Sequence, residues 1–323
     1  STNLHTDSII KIAKEMQQSS IICEKIKGRS IEANMYYRRG NYKKSEAISL
    51  ETLSLIKKPK NDCERNAKFN VLGRLFWIKK NTGKYKEALD YTIIKENLSA
   101  KITDKNFTYH LQSLSNSSNK ALIKRILGFN NEAIQTLKKA IRDFNKENHQ
   151  QLTRKEKYAL TYQKSSAYNI LGESYLNKSI AIVDQDLDSA FFYFKKAFNE
   201  AKKFDPPHKN TKPFYELNRV KVLIKKECFL KALELLNSFT DEEKKLTKQS
   251  YTFYKSVINH HQKNNDSALL LSKKYLTFSK ATPSRQKNRI VIYDILAKEY
   301  KNIKQHDSAY KYSQLVLSEI NIF

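Results

Sequence analysis

The stretch "DSAFFYFKKAF" (188–198) returns further along the chain as "DSALLLSKKYL" (266–276) and "DSAYKYSQLVL" (307–317). Each copy opens with Asp and Ser, whose short side-chain oxygens can satisfy free N–H groups in the first turn of a helix. The Asp carboxylate also opposes the positive end of the helix dipole. Counting from the Ala, the positions four, seven and eight residues on are Phe194, Ala197 and Phe198 in the first copy. They are Ser272, Tyr275 and Leu276 in the second, and Ser313, Val316 and Leu317 in the third. That spacing lays a mostly apolar stripe along one helical face. The Ala has its own role, because a small residue lets a neighbouring helix come close.

Weaker copies of the same helix extend the series. Ser45, Ala88, Ala133, Ala190, Ala232, Ala268 and Ala309 follow one another at steps of 43, 45, 57, 42, 36 and 41. A period in this range marks an array of stacked helix pairs. The segments ahead of these helices agree: "FNVLGRLFW" (69–77) and "YNILGESYL" (168–176) space an aromatic, Leu-Gly and a second aromatic alike. Ala33 with Tyr36, and Leu296-Ala297 with Tyr300, repeat the pattern. The chain resembles the tetratricopeptide repeat, whose signature is Trp-x2-Leu-Gly-x2-Tyr followed by a small Ala. The resemblance implies an all-α fold, a right-handed superhelical solenoid of about seven helix pairs over 26–323 with an N-terminal capping helix in 1–25. In "TDSIIKIAKEM" the capping helix places Ile9, Ile12, Ala13 and Met16 on one face. One continuous array is expected, with a flexible joint at "FDPPHKNTKP" (204–213). The family's 34-residue period is exceeded, so helices or turns must be longer. The segment "NKSIAIVDQDL" (177–187) is expected to be a lengthened first helix or an extended turn.

Punctuation fits helices. Only 6 Gly and 5 Pro occur, too few for a sheet protein rich in tight turns. Pro59, Pro206, Pro207, Pro213 and Pro283 fall between the expected pairs, where a missing N–H is tolerated. Thr153 with Glu156, and Thr240 with Glu243, have the spacing of capping boxes. No Gly follows Gly172, so the later turns are expected to use Asn and Asp, such as Asn264, Asn265 and Asp307.

The search for chemistry returns little. No Gly-rich phosphate loop and no clustered His/Cys metal motif is present, and the carboxylates are dispersed. No catalysis, cofactor or metal is expected. Neighbouring His260 and His261 point about 100° apart on a helix, so they are read as helix-end residues. Cys23, Cys63 and Cys228 are widely spaced and odd in number, and are read as free thiols at packing positions. The net charge of +27 allows a polyanionic partner, but it is spread along the chain, as on a solvated helical surface. Direct nucleic-acid binding through this chain alone is not expected. Arg38-Arg39, Lys79-Lys80, Lys124-Arg125 and Lys225-Lys226 close first helices. They are read as complementing the negative helix ends, with a positive ridge as the other account.

The resemblance implies a concave groove, lined by the first helix of each pair, that takes a protein or peptide segment. Residues at its inward positions are Asn34 and Tyr37; Asn70, Arg74 and Trp77; Asn169 and Glu173; and Asp294 and Lys298. Ser30, Leu176 and Lys301 complete the set. Asn both donates to and accepts from a peptide backbone, and Trp or Tyr offers a flat anchor. The long period and the Lys/Asn/Ile-rich composition are similar to the sensory tetratricopeptide portion of bacterial AraC- and LuxR-type one-component regulators. That implies a portion lying outside the cytoplasmic membrane, the alternative being a cytoplasmic peptide receptor or a basic nucleic-acid-binding helical repeat. No run of about 18 apolar residues exists to span a membrane. Beginning at Ser1 without a basic, apolar leader, the chain is expected to be trimmed. The last helix carries Leu315, Val316, Leu317, Ile320, Ile322 and Phe323, a stripe expected to meet a further segment or a partner.

Overall fold

The computed structural model describes residues 2–100, 106–146, 152–179, 184–204, 211–279 and 286–320, and among them all regular secondary structure is α-helix. The chain divides into two compact units, Ser1–Gln150 and Gln151–Phe323. The first holds α1 (Thr2–Met16), α2 (Ile22–Arg38), α3 (Tyr42–Leu55), α4 (Asp62–Asn81), α5 (Tyr85–Ser99), α6 (Phe107–Ile126) and α7 (Asn130–Lys146). The second holds α8 (Arg154–Lys178), α9 (Asp184–Lys202), α10 (Lys212–Lys225), α11 (Phe229–Asn237), α12 (Asp241–Leu246), α13 (Lys248–His261), α14 (Asn265–Phe278), α15 (Gln286–Asn302) and α16 (His306–Ile320).

Consecutive helices pack as pairs: α2/α3, α4/α5 and α6/α7 in the first unit, then α8/α9, α10/α11, α13/α14 and α15/α16 in the second. The recurring small residue explains the pairing. Ser45, Ala88, Ala133, Ala190, Ala232 and Ala268 have no exposed surface at all. The Ser45 hydroxyl is accommodated by donating 2.7 Å to the Ala33 carbonyl of the facing helix. At α8/α9 the helices approach closely. A Cβ added to Gly172 would lie 2.7 Å from the Phe194 ring, so only glycine fits beneath it. The stripes behave as spaced: Phe194, Ala197, Ser272 and Tyr275 are buried, whereas in α16 Leu317 remains 52% exposed.

Cores are local. Leu176, Leu187, Ala190, Phe194 and Val222 form one cluster, and Leu217, Val220, Ala232, Leu236, Phe239 and Ile258 the next. Each joins one pair to its neighbour, as in a stacked array, where every repeat is stabilised chiefly by the ones beside it. At about 25 cal/mol per Å² of apolar surface, burial of this kind is the main stabilising term. The helix α1 packs on α2 through Ile10 and Ala13, with Gly28 admitting the Ala13 carbonyl. Its buried face is rotated from the expected one, for Ile12 is 57% exposed.

Both capping boxes form, Thr153 with Glu156 ahead of α8 and Thr240 with Glu243 ahead of α12. The six-residue α12, between α11 and α13, has no counterpart among the described residues of the other pairs. The length beyond Gly172 is shared between α8, 25 residues long, and a connection of which 180–183 lie outside the described residues. Most of the joint at 204–213 lies outside them too, as do Pro206, Pro207, Pro283, Ile322 and Phe323. Pro213 stands in the first turn of α10, where its missing N–H removes no helical bond.

Two expectations are corrected. Among the described residues the left-handed turn positions of the second unit are not Asn or Asp but Glu227 (φ 57), Lys263 (φ 60) and Lys304 (φ 59). Asn264 follows as the residue before α14, and Asn265 and Asp307 lie inside their helices. Cys23 and Cys63 are not free thiols but a disulfide, with Cα atoms 6.2 Å apart. They are the second residues of α2 and α4, so a separation of 40 residues returns the chain to the equivalent place one repeat later. Cys228 alone is free.

Candidate functional site

In the first unit the first helices α2 and α4 stand side by side, bridged by polar side chains at a constant offset. Arg74 donates from Nη2 to Ser30 Oγ at 3.0 Å, and Asn81 Nδ2 donates to Tyr37 Oη at 2.9 Å. Each pair is 44 residues apart, close to one period. The same bridge passes on to α6, where Gln112 Nε2 donates to Asn66 Oδ1 at 3.2 Å. Asn66, Asn70, Arg74, Trp77 and Asn81 follow at steps of three or four, the spacing of one face of α4.

The candidate residues on this face differ in availability. Asn70 is exposed, Asn34 half-buried, and Trp77 is 39% exposed. The Trp77 indole meets the Phe76 ring edge-on and lies under Lys80 Nζ at 5.5 Å. Tyr37 is half-buried beside Tyr42, and burial raises its hydroxyl above the ordinary tyrosine value. Burial draws the Arg74 guanidinium down to about 10. No described carboxylate lies within ion-pair reach of Arg74, and its Nη1 has no hydrogen-bond partner.

In the second unit Asn169 is already engaged, accepting from Asn218 Nδ2 at 2.8 Å and facing Glu173 Oε1 at 3.4 Å. Ser165 meets Tyr215 Oη at 3.3 Å, again between consecutive first helices. Glu173 is half-buried and contributes, after burial, to raising the Tyr254 hydroxyl. Tyr158 and Tyr162 stack one turn apart at 6.4 Å and are both exposed. Leu176 is core. Asp294 and Lys298 form an exposed i,i+4 ion pair at 2.6 Å on α15.

The basic doublets have a third explanation besides the two expected. One member of each is tied to a carboxylate on another helix: Arg39 to Asp7, Lys124 to Glu132 and Lys226 to Asp188. Lys79 reaches both Glu46 of α3 and Glu87 of α5 at 2.6 Å, so it joins two pairs. These ties take local charge out of any open ridge. His260 Nδ1 meets buried Glu299 at 2.5 Å across α13 and α15, and His261 stacks on Phe229 at 4.4 Å. Among the described residues no cluster could hold a metal ion.

Lys95 is not among the residues singled out from the sequence, although its register could have marked it. It stands seven residues after Ala88, where other pairs place Ala140, Ala197 or Tyr275, and it is 2% exposed. Its ammonium lies 4.1 Å from the Phe69 ring centroid, over Gly73, and burial pulls it down to about 8.

The fold has counterparts among known structures. The profile of the family described as "Rapsyn N-terminal myristoylation and linker region" matches residues 27–106, about a quarter of the chain. No curated protein matches in sequence. The apo form of RapI is similar at TM-score 0.60 and 10% identity, covering 92% of this chain and 98% of that one. A Rap protein complexed with Competence and Sporulation Factor is similar at TM-score 0.57 and 12% identity, covering 96% and 79%. Human IFIT1, as a dimer with PPP-AAAA, is similar at TM-score 0.53 and 18% identity, covering 91% and 64%. The chain thus has an all-α helical-repeat fold of tetratricopeptide type. No described helix is long and apolar enough to cross a membrane.

Proposed function

We propose that the chain is a non-catalytic recognition module that takes an extended protein or peptide segment along the faces of its first helices. The observation that carries this reading is the stripe on α4. Exposed Asn70, under-partnered Arg74 and exposed Trp77 occupy successive turns of one face. Amides there match a peptide backbone, and an exposed indole is an anchor of the kind that dominates binding energies. The likeness to a Rap protein complexed with a factor supports the reading by analogy of fold.

The module is further proposed to be the sensor portion of a larger bacterial regulator, exposed outside the cytoplasmic membrane. The Cys23–Cys63 bond supports that location, because disulfides persist in oxidising compartments. A second reading, nucleic-acid binding, draws on the net charge of +27 and on the likeness to IFIT1 with PPP-AAAA.

A random peptide library selected on the whole chain, with binders titrated against Trp77 fluorescence, tests the two. Peptide binding that changes little between about 50 and 200 mM salt is expected. Phosphate-driven binding falls by orders of magnitude over that range. Failure to enrich any peptide, with tight salt-sensitive binding of a single-stranded oligonucleotide, overturns the peptide reading.

A further inference from the structure

Between the amino-terminal halves of α2 and α4 lies a depression of about 370 Å³. Its apolar parts are the Cys23–Cys63 disulfide, Ile26 and Ala67. Polar groups line the side toward the helix C-termini: Ser30 and Asn70, with Asn66 beside them. Lys27, exposed to water and one turn on from Glu24, also lines the depression. The one carboxylate lining it, Glu24, stands by the disulfide, at the opposite end from Arg74.

Arg74 is one turn beyond Asn70 and is bonded to Ser30, which itself lines the depression. The side chain stands out within its own helix. Lys79, five residues on, is satisfied by two carboxylates, whereas Arg74 gives one hydrogen bond to a hydroxyl and meets no described acid. Charges withdrawn from water are ordinarily paired, and a guanidinium is best completed by a carboxylate held through two parallel bonds.

We infer that this depression seats an apolar side chain on the disulfide while a carboxylate three residues further along the same extended segment reaches Arg74. The proposal rests on the peptide-binding reading and names the class of peptide for the first unit. The spacing follows from geometry: Ala67 to Arg74 is seven helical residues, about 10 Å, which three residues of extended chain span. The direction follows from burial together with charge: Lys27 is exposed and stays paired with water, whereas Arg74 is half-buried and short of an acid, and Glu24 repels an acid at the disulfide end. Asn66 and Asn70, one turn apart, then face the intervening backbone.

The probe is the capped peptide acetyl-Gly-Leu-Gly-Gly-Asp-Gly-amide, titrated into the full chain with Trp77, the only Trp, as reporter. Replacing its Asp by Asn, or its Leu by Gly, is expected to weaken binding at least tenfold. A shorter peptide ending in a free carboxylate after Leu-Gly-Gly shows whether a chain end serves as well as a side chain. In Arg74→Gln, with fold checked by circular dichroism, the Asp and Asn peptides are expected to bind alike. Reducing the disulfide with a phosphine should weaken the Leu peptide and leave the already weak Gly peptide unchanged. Equal binding of Asp and Asn peptides to the unaltered chain overturns the inference. A library-selected peptide that binds undiminished by Arg74→Gln also overturns it, while leaving the wider peptide reading intact. Displacement of the probe by a 5′-phosphorylated oligonucleotide, without discrimination between Asp and Asn, assigns the surface to nucleic acid instead.

Discussion

The turns that end first helices, α8 aside, make the same hydrogen bonds in both units but are built from different residues. In the first unit Gly40, Gly83 and Gly128 take the left-handed position, and the next N–H reaches back to Tyr36, Lys79 or Lys124. In the second unit Glu227, Lys263 and Lys304 take it, and the next N–H reaches back to Leu223, Asn259 or Tyr300 over the same interval. A side chain in that conformation costs about 1 kcal/mol that glycine avoids. The second unit carries the cost three times over, so its turns are imposed by the packing on either side rather than by local preference. Ala232 and Ala268, fully buried just past two of these turns, are the contacts that fix the geometry.

The largest expected effect concerns the staple that the second unit lacks among its described residues. Replacing Cys23 and Cys63 together by Ser should destabilise the first unit by about 4 kcal/mol, the loop-closure value for a 40-residue separation. Denaturant unfolding followed through Trp77, which lies in the first unit, reads this directly. A loss below about 1 kcal/mol would mean that the α2/α4 contact holds equally well without the bond.

Next in size is Lys95, a buried cation in the unit with otherwise favourable turns. Its folded pKa, about 8, lies below the ordinary 10.5, so the fold disfavours the ammonium. The penalty is complete below about pH 8 and disappears as the pH rises through 10.5. Lys95→Met should therefore stabilise the first unit at neutral pH by about 2–3 kcal/mol. Stability of the unaltered protein should climb across that alkaline window, and that of the variant should stay level. Parallel curves would show that the Phe69 ring already compensates the charge.

The smallest effect is the direct test of the turns. Lys263→Gly and Lys304→Gly should each stabilise the second unit by about 0.5–1 kcal/mol, and Gly83→Ala should cost the first about as much. Thermal midpoints give the sign. Should the glycine variants come out no more stable, the freedom that glycine adds to the unfolded chain would have cancelled the relief of strain.

How much of this was legible beforehand varies with the range of the interaction. The small residues at 45, 88, 133, 190, 232 and 268 were readable because each must clear a helix crossing, a demand expressed in one residue. The capping boxes at Thr153 and Thr240 were readable because they close within four residues. The later turns were misread because Asn and Asp favour left-handed backbone locally, and here packing outweighed local preference. The disulfide was missed although its signal was present, in a Cys separation equal to one repeat. The α4 stripe could be placed by counting, but its partners, 44 residues away on α2, depend on the register of two helices. Lys95 was passed over although the register marks it, for it stands at the seventh position after Ala88, where other pairs bury Ala197 or Tyr275.

The Ser30–Arg74 and Tyr37–Asn81 bridges share one interval, and Lys79 clasps the helices on either side of it. A gene encoding such an array tolerates gain or loss of a complete interval, because the new neighbours present the same faces as the old. An insertion of half that length sets second helices where first helices belong, and every bridge downstream loses its mate. The length of such proteins should therefore drift over generations in whole steps, with each step leaving the face of the first helices continuous.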